Sequence, residues 1–135
     1  MIADQIFNLL MLTSNYMDFT EIVTHNLIIL AERKEYDQLA NEVDNRDRLI
    51  KVITKLDSQL SFQLGKLPAE ELKLLQTTLL DSWQADLENW KQKLNYLDEK
   101  LALVMQLAKQ STQEEIKETF ENKTKLEGYN LKNLR

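Results

Sequence analysis

A chain with one proline and two glycines in 135 residues can turn only rarely. Tight strand connections need clusters of Gly, Pro, Asn and Asp at short intervals, and no such rhythm runs through this sequence. Long helices are what remains. The length argues for one domain, and an apolar fraction of 43% supports a modest core. The expected fold is all-α: an antiparallel helical bundle or hairpin of three to four helices. A core of residues 1–110 is followed by a C-terminal helix or tail, 111–135.

The first helix is expected from about Ile2 to about Arg33. Ile2, Ile6, Leu9, Tyr16, Val23, Leu27 and Leu30 fall on a line of three- and four-residue steps, with Thr13 and Thr20 filling its gaps. A second set, Leu12, Phe19, Ile22 and Ile29, widens the stripe, so this helix should meet more than one neighbour. A shift of the stripe near Arg33-Lys34-Glu35 marks a corner. The second helix runs from about Glu35 to about Gln63, with Tyr36, Leu39, Ala40, Val43, Ile50, Ile53, Leu56 and Leu60 on its face. Arg46 and Asp47 stand where that face calls for an apolar residue. They are either flanking charges or a polar contact that sets the register between helices.

Gly65-Lys66-Leu67-Pro68 is the strongest punctuation. Gly65 suits a helix C′ position at positive φ, and Pro68 suits the first turn of the next helix. Glu70 and Glu71 then favour the positive end of that helix. The third helix has the most regular pattern in the chain: Leu72, Leu75, Leu79, Trp83, Leu87, Trp90, Leu94, Leu97, Leu101, Val104 and Ala108. At 1.5 Å per residue it reaches roughly 60 Å against about 45 Å for the second helix, so it should overhang its partners or bend.

Ser111-Thr112-Gln113-Glu114-Glu115 reads as a new helix start with a capping box. The segment beyond it is poor in apolar residues. Ile116, Phe120, Leu126 and Tyr129 are its anchors, followed by Leu131 and Leu134, and Gly128 is expected to end the helix. Such a face buries little area, so its docking should be weak.

The residues for chemistry are missing. The absence of cysteine excludes disulfides, thiolate metal sites and thiol nucleophiles. His25 is the only histidine, and Ile22 three residues before it rules out a Glu-x-x-His metal pair. His25 is expected to be a surface or half-buried structural residue. Adjacent carboxylates such as Asp98/Glu99 point about 100° apart on a helix and do not converge. No glycine-rich phosphate loop is present. No enzyme activity, metal or cofactor is expected. Trp83 and Trp90, seven apart, are either core residues or anchors in a partner's groove. The methionines read as core fillers.

The formal net charge is −5. Without a basic stripe, nucleic acid and anionic lipid are not expected partners. The apolar runs are too short to span a membrane. The first residues lack the positive region of a secretory signal, which leads to the expectation of a cytoplasmic protein that works by binding another protein.

One stretch narrows that class. Leu30-Ala31-Glu32-Arg33-Lys34-Glu35-Tyr36-Asp37-Gln38-Leu39, continuing to Arg46-Asp47-Arg48-Leu49-Ile50, resembles the first helix junction of the small flagellar export chaperones of the FliT type. There, an aromatic-Asp-x-Leu start follows an alanine-bearing turn, and an Arg-x-x-Leu-hydrophobic run comes about ten residues on. Tyr36 stands where the family usually has Trp, and the third helix and tail look longer here. The resemblance implies a chaperone for type III protein export. Such a chaperone binds the C-terminal helical part of a filament cap protein or similar export client, prevents its premature polymerisation, and delivers it to the export ATPase complex. It also implies that the C-terminal helix can cover the binding surface, a role that falls here to Ile116, Phe120, Leu126 and Tyr129. The client would lie in a groove between the second and third helices, on Ile50, Ile53, Leu72, Leu75, Leu79 and Trp83. The alternative is a structural coiled-coil adaptor that oligomerises through the third helix. A homodimer stays open under either reading.

Overall fold

The computed structural model of the chain describes residues 2–110. They are all-α, with no strand among them. α1 (Ile2–Glu32), α2 (Tyr36–Leu64), α3 (Ala69–Leu75) and α4 (Asp81–Lys109) follow in order, and one π-helical turn, Gln76–Leu80, joins α3 to α4 without a break. Three helical rods therefore run up, down and up. The start of α1 shares a core cluster with the start of α4 and the end of α2. The end of α1 shares a second cluster with the end of α4 and the start of α2. So α4 is parallel to α1 and antiparallel to α2.

The α1–α2 corner closes without glycine. Lys34 takes φ 59°. Its N–H donates to the Ala31 carbonyl at 3.1 Å, and the Glu35 N–H reaches the Leu30 carbonyl at 3.0 Å. This is a Schellman closure, which satisfies two carbonyls that the end of α1 would leave bare. The positive φ expected at Gly65 is not there. Gly65 sits at φ −64°, ψ −17°, a right-handed continuation of α2. The N–H groups of Lys66 and Leu67 bond three residues back, to Gln63 and Leu64. That tightened turn ends α2 with no left-handed residue. Pro68, at φ −57° and ψ 151°, immediately precedes α3 instead of lying in its first turn.

The π turn follows from the spacing of the apolar ladder. Leu75, Leu79, Trp83 and Leu87 are four apart, and each such step carries an α-helical stripe about 40° round the axis. Three in succession would swing Leu87 away from the core. One wide turn takes up the drift. Leu80, Trp83 and Leu87 are all buried. The hydroxyls of Thr77 and Thr78 donate to the Leu74 carbonyl at 3.1 and 2.8 Å, and the Gln76 amide donates to Asp81 across the turn at 2.8 Å.

The ladder of the third rod is core. Trp83, Leu87, Trp90, Leu94, Leu97 and Leu101 are buried against α1 and α2. The indole N–H of Trp90 donates to the Met17 carbonyl at 3.0 Å. Thr13, Thr20 and Thr24 are buried on α1 because each hydroxyl donates to the carbonyl four residues back, at 2.6, 2.7 and 2.7 Å. Met17 and Met105 fill the core as expected, whereas Met11 is exposed.

Arg46 is the largest side chain buried without trace of exposure. Its two terminal nitrogens hold both carboxylate oxygens of Asp98 on α4, Nη2 to Oδ2 at 2.8 Å. Of the two readings of the Arg46-Asp47 interruption, the inter-helix contact is the one seen at Arg46. Asp47 instead pairs along its own helix with Lys51 at 3.1 Å.

Candidate partner-binding face

The six strip residues occupy two environments. Ile50, Ile53 and Trp83 are buried in the chain's own core, at 6%, 1% and 6% exposure. Leu72, Leu75 and Leu79 are half-buried and pack against the first core cluster. The structure therefore gathers Ile53, Trp83, Leu72, Leu75 and Leu79 at one end of the bundle and leaves Ile50 buried midway along α2, with no open strip formed. The cause is economy of apolar surface: the strongest stripe on each helix is the one that folding uses first. The C-terminal anchors Ile116, Phe120, Leu126 and Tyr129 lie outside the described residues.

Among the described residues, α1 carries more exposed large apolar side chains than any other helix. One broad side of this helix faces α2 and α4, and no described element covers the other. Phe7, Met11, Leu12, Phe19, Ile22 and Ile29 stand there between 44% and 63% exposed. Four of these are the set that widened the stripe in the sequence. That set called for an additional neighbour, and the described bundle supplies none. Phe7 escaped the sequence reading, and Met11, expected as a core filler, is on this outer side. Their signal is the line Phe7, Met11, Asp18, Ile22, Ile29, whose steps of four and seven return to one side of a helix. Phe19 is steadied by an edge-on contact with Tyr16, at 6.5 Å between ring centres.

Beside this face a cleft of about 430 Å³ runs between the start of α1 and the end of α2. Leu9, Leu12 and Phe62 give it an apolar lining, and Gln5, Asn8, Gln59 and Gln63 supply carboxamides. The Gln63 Oε1 atom is buried without a hydrogen-bond partner. Lys66 lies over the Phe62 ring, 4.4 Å from its centre.

The electrostatics of α1 are one-sided. Asp4, Asp18, Glu21 and Glu32 are its charged residues, and no Lys or Arg occurs from Ile2 to Glu32. Glu21 meets Lys93 of α4 at 3.8 Å. Asp4 and Asp18 are exposed.

Elsewhere the described residues show little reactive chemistry. Among the described residues no group of three or more His, Cys, Asp or Glu side chains is placed to hold a metal ion. His25 is exposed, in keeping with a surface histidine. Desolvation raises the Asp98 carboxyl above its ordinary range, and the hydrogen bond and charge of Arg46 work against that rise. Asp98 is thus a largely buried carboxylate held by Arg46. Among the described residues no helix is long and apolar enough to cross a membrane. Set against protein-family models, characterised proteins and solved structures, the chain matches none.

Proposed function

We propose that this chain is a non-enzymatic, cytoplasmic export chaperone of the FliT type. It binds the C-terminal helical part of a filament cap protein or similar type III export client. Binding keeps the client from polymerising early and presents it to the export ATPase complex. The observation that carries this reading is the uncovered apolar side of α1. A folded chain rarely leaves so many large side chains exposed on one element unless another protein covers them. A helical groove binder needs such a surface, with anchors three, four and seven residues apart. The all-α fold and the acidic balance agree with the resemblance seen at the α1–α2 junction.

The adaptor alternative needs the Leu and Trp ladder of the third rod as an intermolecular seam. That ladder is already buried within one chain, which favours the chaperone. Calorimetry with the C-terminal segment of a filament cap protein tests the proposal. The full chain and a chain ending at Gln110 should both bind, the shortened one more tightly if the C-terminal segment is a cover. No heat from either form, with helices intact by circular dichroism, removes the cap-protein assignment.

A further inference from the structure

The uncovered side of α1 has a charge pattern that says what it can hold. Asp4, Phe7, Met11, Asp18, Ile22 and Ile29 follow one another at steps of three, four and seven, so two carboxylates sit on the apolar line itself. All six are exposed. The apolar stretch from Phe7 to Ile29 is roughly 33 Å long at 1.5 Å per residue, the length of a helix of about 20 residues. With no Lys or Arg on α1 itself, the charges on this line are negative.

A second copy of the chain fits badly. Two α1 helices side by side and parallel would set every acid against itself. Antiparallel and centred on Asp18, they would set Asp18 against Asp18 and Asp4 against Glu32. Like charges held together across an apolar contact are costly, because the contact expels the water that screens them.

Resting on the protein-binding reading above, we infer that the outer face of α1 is the docking surface, and that its occupant is an amphipathic helix of a protein client flanked by Lys or Arg. The client's apolar residues lie on Phe7, Met11, Phe19, Ile22 and Ile29. Its cations reach Asp4 and Asp18. The neighbouring cleft, with its Leu9, Leu12 and Phe62 lining, takes one of the client's apolar side chains. Opposite charge along the line also speeds encounter and rejects acidic helices.

The test uses the full chain and two synthetic helical peptides of about 20 residues with the same Leu and Ile face. One carries Lys at its flanking positions and the other Glu. Calorimetry at low salt should show the Lys peptide binding at least about ten-fold more tightly, and the gap should narrow as salt is raised. Ile22→Lys should abolish binding. Leu103→Lys, on the exposed side of α4, should leave it unchanged. Equal binding of the two peptides overturns the inference. So does binding that survives Ile22→Lys with helices intact by circular dichroism, and so does no binding of the Lys peptide. Self-association lost on Ile22→Lys would assign the face to a second copy. Binding seen only for a chain ending at Gln110 would assign it to the chain's own C-terminal segment. Either outcome overturns the client as occupant. A cap-protein segment that binds wild type and Ile22→Lys alike removes this surface and leaves the export proposal standing. A Lys peptide that docks on α1 while the cap segment does not bind removes the export proposal alone.

Discussion

Arg46 of α2 lies wholly buried and grips the Asp98 carboxylate of α4 through both terminal nitrogens, across 52 residues of chain. A fork-to-fork pair of this kind accepts only one register, so it fixes how the third rod slides along the second. Whether such a pair also adds net stability is a separate matter, since two charges must first leave water. Asp98→Ala, which strips Arg46 of these two acceptors, should cost about 3–5 kcal/mol in urea unfolding. Arg46→Met with Asp98→Leu should return stability to wild type or above. A double variant as weak as the single one would show the pair to be stabilising in its own right.

The pair also sets a pH trend. Because burial raises the Asp98 carboxyl in the folded chain above the ordinary carboxylate range, the folded state holds that proton more tightly than the unfolded state. Its contribution is fully present below the unfolded pKa and declines as pH rises through the raised value. Asp98→Asn cannot ionise. Its stability relative to wild type should therefore improve as pH climbs from about 4 toward neutrality. A gap that moves the opposite way in urea melts across this range would show that Arg46, not burial, governs the carboxyl.

Lys34 and Gly65 have exchanged the parts their residue types suggest. Lys34 holds the left-handed conformation at φ 59°, which glycine adopts without penalty. Lys34→Gly should stabilise the chain by about 1 kcal/mol. Gly65 is right-handed, and a Cβ there would meet the Phe62 and Ser61 carbonyl oxygens at 3.5 and 3.6 Å, ordinary contact distances. Gly65→Ala should stabilise by about 0.5 kcal/mol through the unfolded chain. Loss of stability in Lys34→Gly would count against a left-handed residue at the α1–α2 corner, and in Gly65→Ala against a right-handed end of α2.

The two tryptophans should answer differently to replacement by phenylalanine. Trp90 donates to the Met17 carbonyl, whereas the buried Trp83 indole N–H has no partner. Trp90→Phe loses a buried hydrogen bond, about 1 kcal/mol beyond the packing loss. Trp83→Phe relieves an unpaired donor and should be the milder change. Equal shifts in the urea midpoint would count against this distinction.

Buried and outer positions on the bundle should separate sharply. Leu94→Ala, at a site with 0% exposure, should cost about 2–5 kcal/mol. Ile22→Ser, at 63% exposure, should stay within about 0.5 kcal/mol of wild type. A large loss at Ile22 would mean that another part of the chain already covers α1.

The helical class, the number of rods in residues 2–110 and the core ladder of the third rod were legible because they rest on local terms. A chain short of glycine and proline has few ways to turn, and a three-to-four spacing puts residues on one side of a helix whatever surrounds it. The partner of Arg46 was not legible. Register between helices is a property of two elements at once, and Asp98 next to Glu99 looks like any solvated pair. The sign of φ at Lys34 and Gly65 depended on which closure the corner geometry required. The candidate site divided along the same line. Periodicity revealed a broad apolar face on α1 and a narrower one on α2, but it does not fix how many neighbours arrive or on which part of the face. Ile50 and Ile53 of α2 and Trp83 of α4 went inside because both helices pack their apolar stripes inward with α1. Phe19, Ile22 and Ile29 stayed outside because, within the described residues, no further helix reaches the second side of α1. Sequence by itself determined which residues must avoid water; only the tertiary arrangement decided which of them succeed within one chain.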